Sequence, residues 1–376
     1  MKNVSRPSQI SRREFLGFAG LGVGTLALGG CRLFPAARGG SSSAAASPAE
    51  YDLEAAPLEV NLGGGGISTW GYSGGLPGPE IRLKEGDTLR ATVLNNLPEG
   101  TSIHWHGVPL PNEMDGVPDV TQPPVKPGES FTYEFVASAP GTYTYHSHSG
   151  LQIDRGLYGP LIVEPAEETL SYDREFVLML DDWLDGMPGT PEDTMKDLKS
   201  GGSAMGGMEG MGVEGGDTPA ETPPDVVYPL YLINGTPAEE PEEFGVRQGE
   251  KVRLRLINPS GASIYRVAIA GHRMTVTHTD GQPVEPVEAD VIRIGMGERY
   301  DVLVETNNPG IWQLAAKAEG SDQLARAIFR YEDSEDAPPP ADEEPTGPDN
   351  YCSTRCSKLP QRQACRPRAS RTKPCP

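Results

Sequence analysis

Positive charge is what this chain most lacks. Its 376 residues carry 32 Lys and Arg against 53 Asp and Glu, a formal net charge of −21. A surface of that sign repels a polyanion, which excludes nucleic acid as a natural partner. Histidine is scarce, at six residues, and cysteine at five, four of them in the last 25 positions. No Cys stands beside a His, and the Cys spacings match no zinc pattern. The apolar stretch near the N-terminus, Gly17 to Gly30, is too short and too rich in glycine to span a membrane.

What precedes that stretch is an address. Ser11-Arg12-Arg13-Glu14-Phe15-Leu16 followed by an apolar segment reads as a twin-arginine export signal. Leu28-Gly29-Gly30-Cys31 is similar to a lipoprotein cleavage box, which would make Cys31 the lipidated first residue of the mature chain; ordinary signal cleavage is the other reading. The expectation is a periplasmic or otherwise extracytoplasmic protein, anchored to a membrane through Cys31 without crossing it. Residues 32–50, with Gly, Ser, Ala and Pro from Gly39 to Pro48, then form a flexible spacer.

The few histidines are concentrated. Four of the six fall in two triplets, His104-Trp105-His106 and His146-Ser147-His148. On a strand, residues i and i+2 share a face, so each triplet directs two imidazoles the same way. The flanks support strands: Phe131, Tyr133 and Phe135 alternate with polar residues after Pro127-Gly128, and Thr142 to His148 alternate after Pro140-Gly141. Two such strands side by side predict a four-nitrogen metal site, with His146 and His148 on the face of Thr142 and Thr144. Imidazole alone suits zinc, copper, iron or nickel, so the spacing leaves the metal open. Trp105 points to the opposite face and reads as core packing. His272 and His278 have no paired motif and read as structural or surface residues.

The chain contains one unit twice. Gly86-Asp87-Thr88-Leu89-Arg90-Ala91-Thr92-Val93-Leu94-Asn95 aligns with Gly249-Glu250-Lys251-Val252-Arg253-Leu254-Arg255-Leu256-Ile257-Asn258. Gly100 to Ile103 matches Gly261 to Ile264, and Pro140-Gly141 matches Pro309-Gly310. This alignment sets His104 and His106 against Tyr265 and Val267, and His146 and His148 against Ala315 and Lys317, so the second copy has none of the four imidazoles. Short strands and many Gly and Pro turns in each copy predict an all-β Greek-key sandwich or barrel.

His104-Trp105-His106-Gly107 and His146-Ser147-His148, followed by Gln152, Gly156-Leu157-Tyr158-Gly159 and Leu161-Ile162-Val163, resemble the first-domain motifs of the multicopper oxidases, the laccase and bacterial copper-oxidase family. The resemblance implies two tandem cupredoxin-like domains, 51–166 and 167–333, after a signal at 1–31. It also implies copper as cofactor, with O2 and a small-molecule reductant or Cu(I) as reaction partners. By motif position, His104 would bind type 2 copper and His106, His146 and His148 the type 3 pair. Asp115, in Met114-Asp115-Gly116, resembles the acidic residue that delivers protons to oxygen; a simple Asp-Gly turn is the competing reading.

Other features depart from that pattern. The family's last-domain motifs, His-x-x-His-x-His and His-Cys-His, do not occur, which leaves the type 1 copper ligands absent. Residues 334–376 start acidic and proline-rich. From Tyr351 onward they carry five Arg, two Lys and four Cys with no acidic residue. An out-of-frame or truncated oxidase, a true basic tail and a disulfide patch are the three readings, and the first is the expectation. Met187, Met195, Met205, Met208 and Met211 sit in a Gly-rich insert of the second domain, where thioethers suit Cu(I) and a plain linker is the alternative. A non-catalytic copper-binding lipoprotein is the alternative function.

Overall fold

Runs of alternating apolar and polar residues become strands throughout the computed structural model, which describes residues 48–187, 189–200 and 226–334, with the backbone of Tyr351–Cys352. The first copy supplies β1 (Ala49–Asn61), β2 (Gly66–Tyr72), β3 (Ile81–Lys84), β4 (Thr88–Asn95), β5 (His104–His106), β6 (Ser130–Val136), β7 (Gly141–His146) and β8 (Tyr158–Glu164). They form two four-stranded sheets, in the orders β2-β1-β4-β6 and β3-β8-β7-β5. Strand β4 shows why: Leu89, Ala91 and Val93 are buried while Arg90 and Leu94 face outward, the period of two that a half-buried strand requires. Each sheet holds one parallel pair, β1 with β4 and β3 with β8. A hairpin cannot make a parallel pair, so the chain crosses between the sheets and closes a sandwich over Leu53, Ile81, Val93, Trp105, Tyr133, Tyr145 and Leu161.

The second copy repeats the plan at larger size. It runs β9 (Arg174–Trp183), α1 (Pro191–Lys199), β10 (Leu230–Ile233), β11 (Thr236–Pro237), β12 (Glu243–Val246), β13 (Lys251–Ile257), β14 (Tyr265–Ile269), β15 (Met274–Thr279), β16 (Gln282–Ala289), β17 (Val291–Ile294), β18 (Arg299–Glu305), β19 (Ile311–Ala318) and β20 (Leu324–Tyr331). The sheets are β11-β10-β9-β13-β18-β15-β16 and β12-β20-β19-β14-β17, with β21 (Tyr351–Cys352) alongside β17. The single described α-helix starts where Thr190 accepts a hydrogen bond from Asp193 N and Pro191 occupies the first turn.

The repeat is legible atom by atom. Asn95 accepts from the backbone N–H of Leu97 and donates to the carbonyls of Glu99 and Val125; Asn258 accepts from Ser260 N–H and donates to Ser263 and Ile294. Each buried amide locks the loop after its strand, which is why that residue recurs. The pairing differs in one respect from the aligned sequences. His104 lies opposite His146, whereas Tyr265 lies opposite Ala318, not Ala315, because β19 begins one aligned residue later than β7 and is two residues longer. The residue facing the first position in the second copy is apolar in either alignment.

The two domains meet through buried charge. Thr142 of β7 donates to Asp301 Oδ1 at 2.5 Å and accepts from Arg255 at 2.8 Å, and Asp301 also accepts from Arg253 at 2.6 Å. Asp301, Arg253 and Arg255 are all 3% exposed or less. Burial alone would raise the Asp301 pKa, but the attraction of Arg255 and Arg253 and the Thr142 hydroxyl hold it below the usual carboxylate value. Met187 differs from its expected place in a loose insert: it packs against Leu62, Ile67, Trp183 and Leu232. Met195 is half-buried on α1, and Met205, Met208 and Met211 lie outside the described residues, as do Arg12, Arg13 and Cys31. Among the described residues no helix is long and apolar enough to cross a membrane.

Removing Asp301 would leave two buried guanidinium groups one carboxylate short, with Arg253 still paired to Glu168 and Arg255 to Glu175. Asp301→Ala is expected to cost about 3–5 kcal/mol in urea unfolding at pH 7. A loss below about 1 kcal/mol would show that Glu168 and Glu175 suffice to balance both arginines.

Candidate metal centre

Strands β5 and β7 pair antiparallel with His104 opposite His146 and His106 opposite Thr144. His104 and His106 therefore project from one face of β5, and His146 joins them from the neighbouring strand. Trp105 projects the other way. It is fully buried, with ring centroids 5.3 Å from Phe135, 5.4 Å from Tyr133 and 6.0 Å from Tyr145, and anchors the strand to the core.

Nitrogens of His104, His106 and His146 lie within 4.8 Å of one another, the one such group of three metal-binding side chains among the described residues. Backbone carbonyls orient two of them. The Nδ1–H of His104 donates to Asp115 O and that of His146 to Ser147 O, each at 2.8 Å. A carbonyl only accepts, so the proton sits on Nδ1 and the Nε2 lone pair is left for an ion. His106 Nδ1 lies 3.3 Å from His146 Nε2. Two nitrogens each about 2.0 Å from a shared ion, at a near-tetrahedral angle, would stand about 3.3 Å apart. The His106 and His146 nitrogens are therefore spaced as two ligands of one metal ion would be.

Electrostatics favours the ligating form. Burial, with the nearby Arg299 charge and the other imidazoles, brings the His106 pKa down to about 4. Burial is also the main cause for His146, lowered to about 3 despite its carbonyl bond, with His104, His106 and His148 adding to it. Both rings are neutral at pH 7, as metal binding requires.

His148 departs from the strand expectation. Strand β7 ends at His146, and His148 follows in a loop, exposed, with its ring 5.5 Å from that of His104 and stacked at 6.4 Å on His146. The loop is pinned by Gln152, which is buried and accepts from Ser147 at 2.6 Å and Thr101 at 2.7 Å while donating to Glu99 and Gly100. Asp115 closes the turn Asn112–Met114, and its carboxylate lies 3.3 Å from His104 Nδ1. Gly116 follows at φ +72°, where a Cβ would overlap the Ile103 carbonyl, so the turn can press against β5 only with glycine there.

The cleft above the rings measures about 320 Å³ and is lined by the four histidines, Thr144, Ile153, Pro259, Ser260, Met296 and Gly297. The last four belong to the second domain, and no local pattern in the sequence marks them as site residues. Thr142, on the same face of β7 as Thr144 and His146, meets the second domain at Asp301. A larger cleft of about 660 Å³ around His272, Arg273, Glu288 and Asp290 gathers no converging donor set. His272 is tied to Ala270 O and Tyr331 OH, and His278 to Thr277, away from the cluster.

Residues 55–168 and 174–334 each match a family description reading multicopper oxidase. The chain belongs to the multicopper oxidase family. It is 41% identical to multicopper oxidase MmcO of Mycobacterium tuberculosis, over 87% of this chain and 67% of that protein. It is 39% identical to copper resistance protein A of Pseudomonas syringae pv. tomato, over 79% of this chain and 52% of that one. Its structure is similar to the blue copper oxidase of Nitrosomonas europaea, with a TM-score of 0.61 and 29% identity over 76% of this chain and 86% of that one. The chain thus spans 67% of MmcO and about half of copper resistance protein A. Family membership makes copper the metal that this multicopper oxidase chain is built to bind.

The lowered imidazole pKa values give stability a pH dependence. Above about 6.5, the unperturbed value, neither folded nor unfolded chain protonates these two rings. Below it the unfolded chain binds protons that the fold refuses, so the metal-free protein loses stability from pH 6.5 down to the folded values near 4 and 3. Urea unfolding at pH 7.5 and pH 5 is expected to show a smaller decline for His106→Gln with His146→Gln than for the parent. Equal declines would remove burial of these rings as the cause.

Proposed function

We propose that this chain supplies the dioxygen-facing histidines of an exported multicopper oxidase, which couples one-electron oxidation of a phenolic compound or Cu(I) to reduction of dioxygen to water. The observation that carries the reading is the convergence of three imidazole nitrogens, two of them oriented by backbone carbonyls, in a chain of this family. His104 would hold type 2 copper, and His106, His146 and His148 the type 3 pair. Bound copper supplies the one-electron chemistry. The chain's own groups do the rest. Carbonyls of Asp115 and Ser147 hold the rings in one tautomer, and the core behind Trp105 keeps water from the back of the site. The Asp115 carboxylate, one-third exposed and 3.3 Å from the His104 ring, would take a proton from solvent and hold it at the edge of the cleft. Twin-arginine export, which carries folded proteins, suits a chain that must acquire metal first, and Cys31 would tether it at the membrane.

One observation favours a second reading. Neither His-Cys-His nor His-x-x-His-x-His stands among these 376 residues, and the four paired histidines are the part of the family's ligand set found in them. A copper-sequestering lipoprotein would need no more than the four histidines. Dioxygen uptake by the copper-loaded chain with a phenol or Cu(I) separates the two: sustained uptake supports the oxidase, and stoichiometric copper binding without uptake supports sequestration.

The purified chain is expected to bind copper and to lack intense blue thiolate-to-copper absorption, because no Cys is flanked by His. Changing His104, His106, His146 and His148 together to Ala should abolish that binding. A strong blue band, or copper retained by the fourfold variant, would defeat the assignment.

A further inference from the structure

The second domain carries no histidine pair of its own, yet it builds one wall of the histidine cleft. Behind that wall one side chain, Arg299, reaches both the strand of His146 and the residue that follows His106. It opens β18 and is 4% exposed. Its Nε donates to the carbonyl of Thr142 on β7 at 3.1 Å, four residues before His146. One terminal nitrogen donates to Gly297 O at 2.8 Å and lies 3.5 Å from the Asp280 carboxylate. The guanidinium also sits over the Tyr143 ring, 5.7 Å from its centroid.

Its other side meets β5. A Cβ on Gly107, the residue after His106, would stand 2.5 Å from the guanidinium. A Cβ on Gly297, whose carbonyl Arg299 holds, would stand 2.7 Å from Cε1 of His106. The Arg299 fork therefore touches the backbone on both sides of the imidazole pair: directly at Gly107 and Thr142, and through Gly297 at the His106 ring. A buried cation beside a cation site weakens metal binding by repulsion, so simple space-filling would be better served by a neutral side chain. What a guanidinium offers instead is rigidly spaced donors, here holding the Thr142 and Gly297 carbonyls while its flat group packs against Gly107.

We propose that Arg299 is a positioning residue for His106 and, through Thr142, for the strand that carries His146. The second domain thereby sets the imidazole spacing in the first. This rests on reading the cluster as a metal site, and the test separates the two ideas.

The full chain would be compared with Arg299→Gln, Arg299→Lys, Gly297→Ala and Asp280→Ala. With six histidines in the sequence, ring 1H–15N correlations of the metal-free protein at pH 7 can be assigned residue by residue. Arg299→Gln is expected to move the His106 and His146 signals while leaving His272 in place, and to weaken Cu(II) binding about 10- to 100-fold in competition titrations. Arg299→Lys keeps the charge but not the fork, so it should resemble Gln. Unmoved His106 and His146 signals in folded Arg299→Gln, or full recovery of both readouts by Lys, would overturn the proposal. Gly297→Ala, whose Cβ would press on the His106 ring directly, shows how a displaced ring reads out. If the arginine variants do not fold, Asp280→Ala decides: it removes the carboxylate 3.5 Å from the guanidinium and lies outside the histidine cleft, so it should move the His106 signal only through Arg299, and an unmoved signal again counts against the proposal. A parent chain that takes up no copper would sink the metal reading, while the ring signals would still decide the role of Arg299.

Discussion

The register of one short antiparallel pair governs this protein. Strand β5 has three residues, and pairing His104 with His146 is what turns two separate sequence triplets into one set of convergent nitrogens. A slip of one residue would send both β5 imidazoles into the core and Trp105 into the cleft. Much of the first domain can be read as insurance against that slip. Trp105 is clamped by Tyr133, Phe135 and Tyr145, Gly116 lets a turn press on the strand's leading edge, and Gln152 ties the loop after His146 to the segment before His104.

Desolvation shapes the site as much as geometry does. The rings of His106 and His146 are held neutral chiefly because burial penalises their charged forms. A surface cluster of the same four residues would spend mildly acidic conditions protonated and self-repelling. The same low-dielectric logic runs at the domain junction with the opposite outcome, since Asp301 keeps its charge because two arginines surround it. Neutral ligands and ionised braces thus coexist within a few residues of Thr142.

The fold and most of the first-domain site were legible in the sequence because their signals are local. Alternation marks a strand, His-x-His marks a shared face, and a recurring Gly-Asp or Gly-Glu followed eight residues later by Asn marks a repeated loop lock. What stayed illegible depends on contacts between distant parts of the chain. Nothing near Met296, Gly297 or Arg299 indicates that they will stand against residues 106, 107 and 142, more than 150 positions earlier. The end of β7 at His146 was missed because alternation continues past the point where cross-strand partners run out. Met187 was misplaced because a Gly-rich neighbourhood hid its packing on Trp183.

The carbonyl bonds that orient His104 and His146 carry a consequence for how the protein must be handled by its host. Backbone carbonyls do not titrate and do not rotate away, so the lone pairs stand ready before any metal arrives. Such a pocket has little power to discriminate, because imidazole nitrogen accepts zinc or nickel as readily in kind as copper. Fidelity then has to come from outside the pocket, from which ion is free in the compartment where the chain finishes folding. A host that loads this protein correctly must control metal supply there, since the imidazoles alone cannot refuse the wrong one.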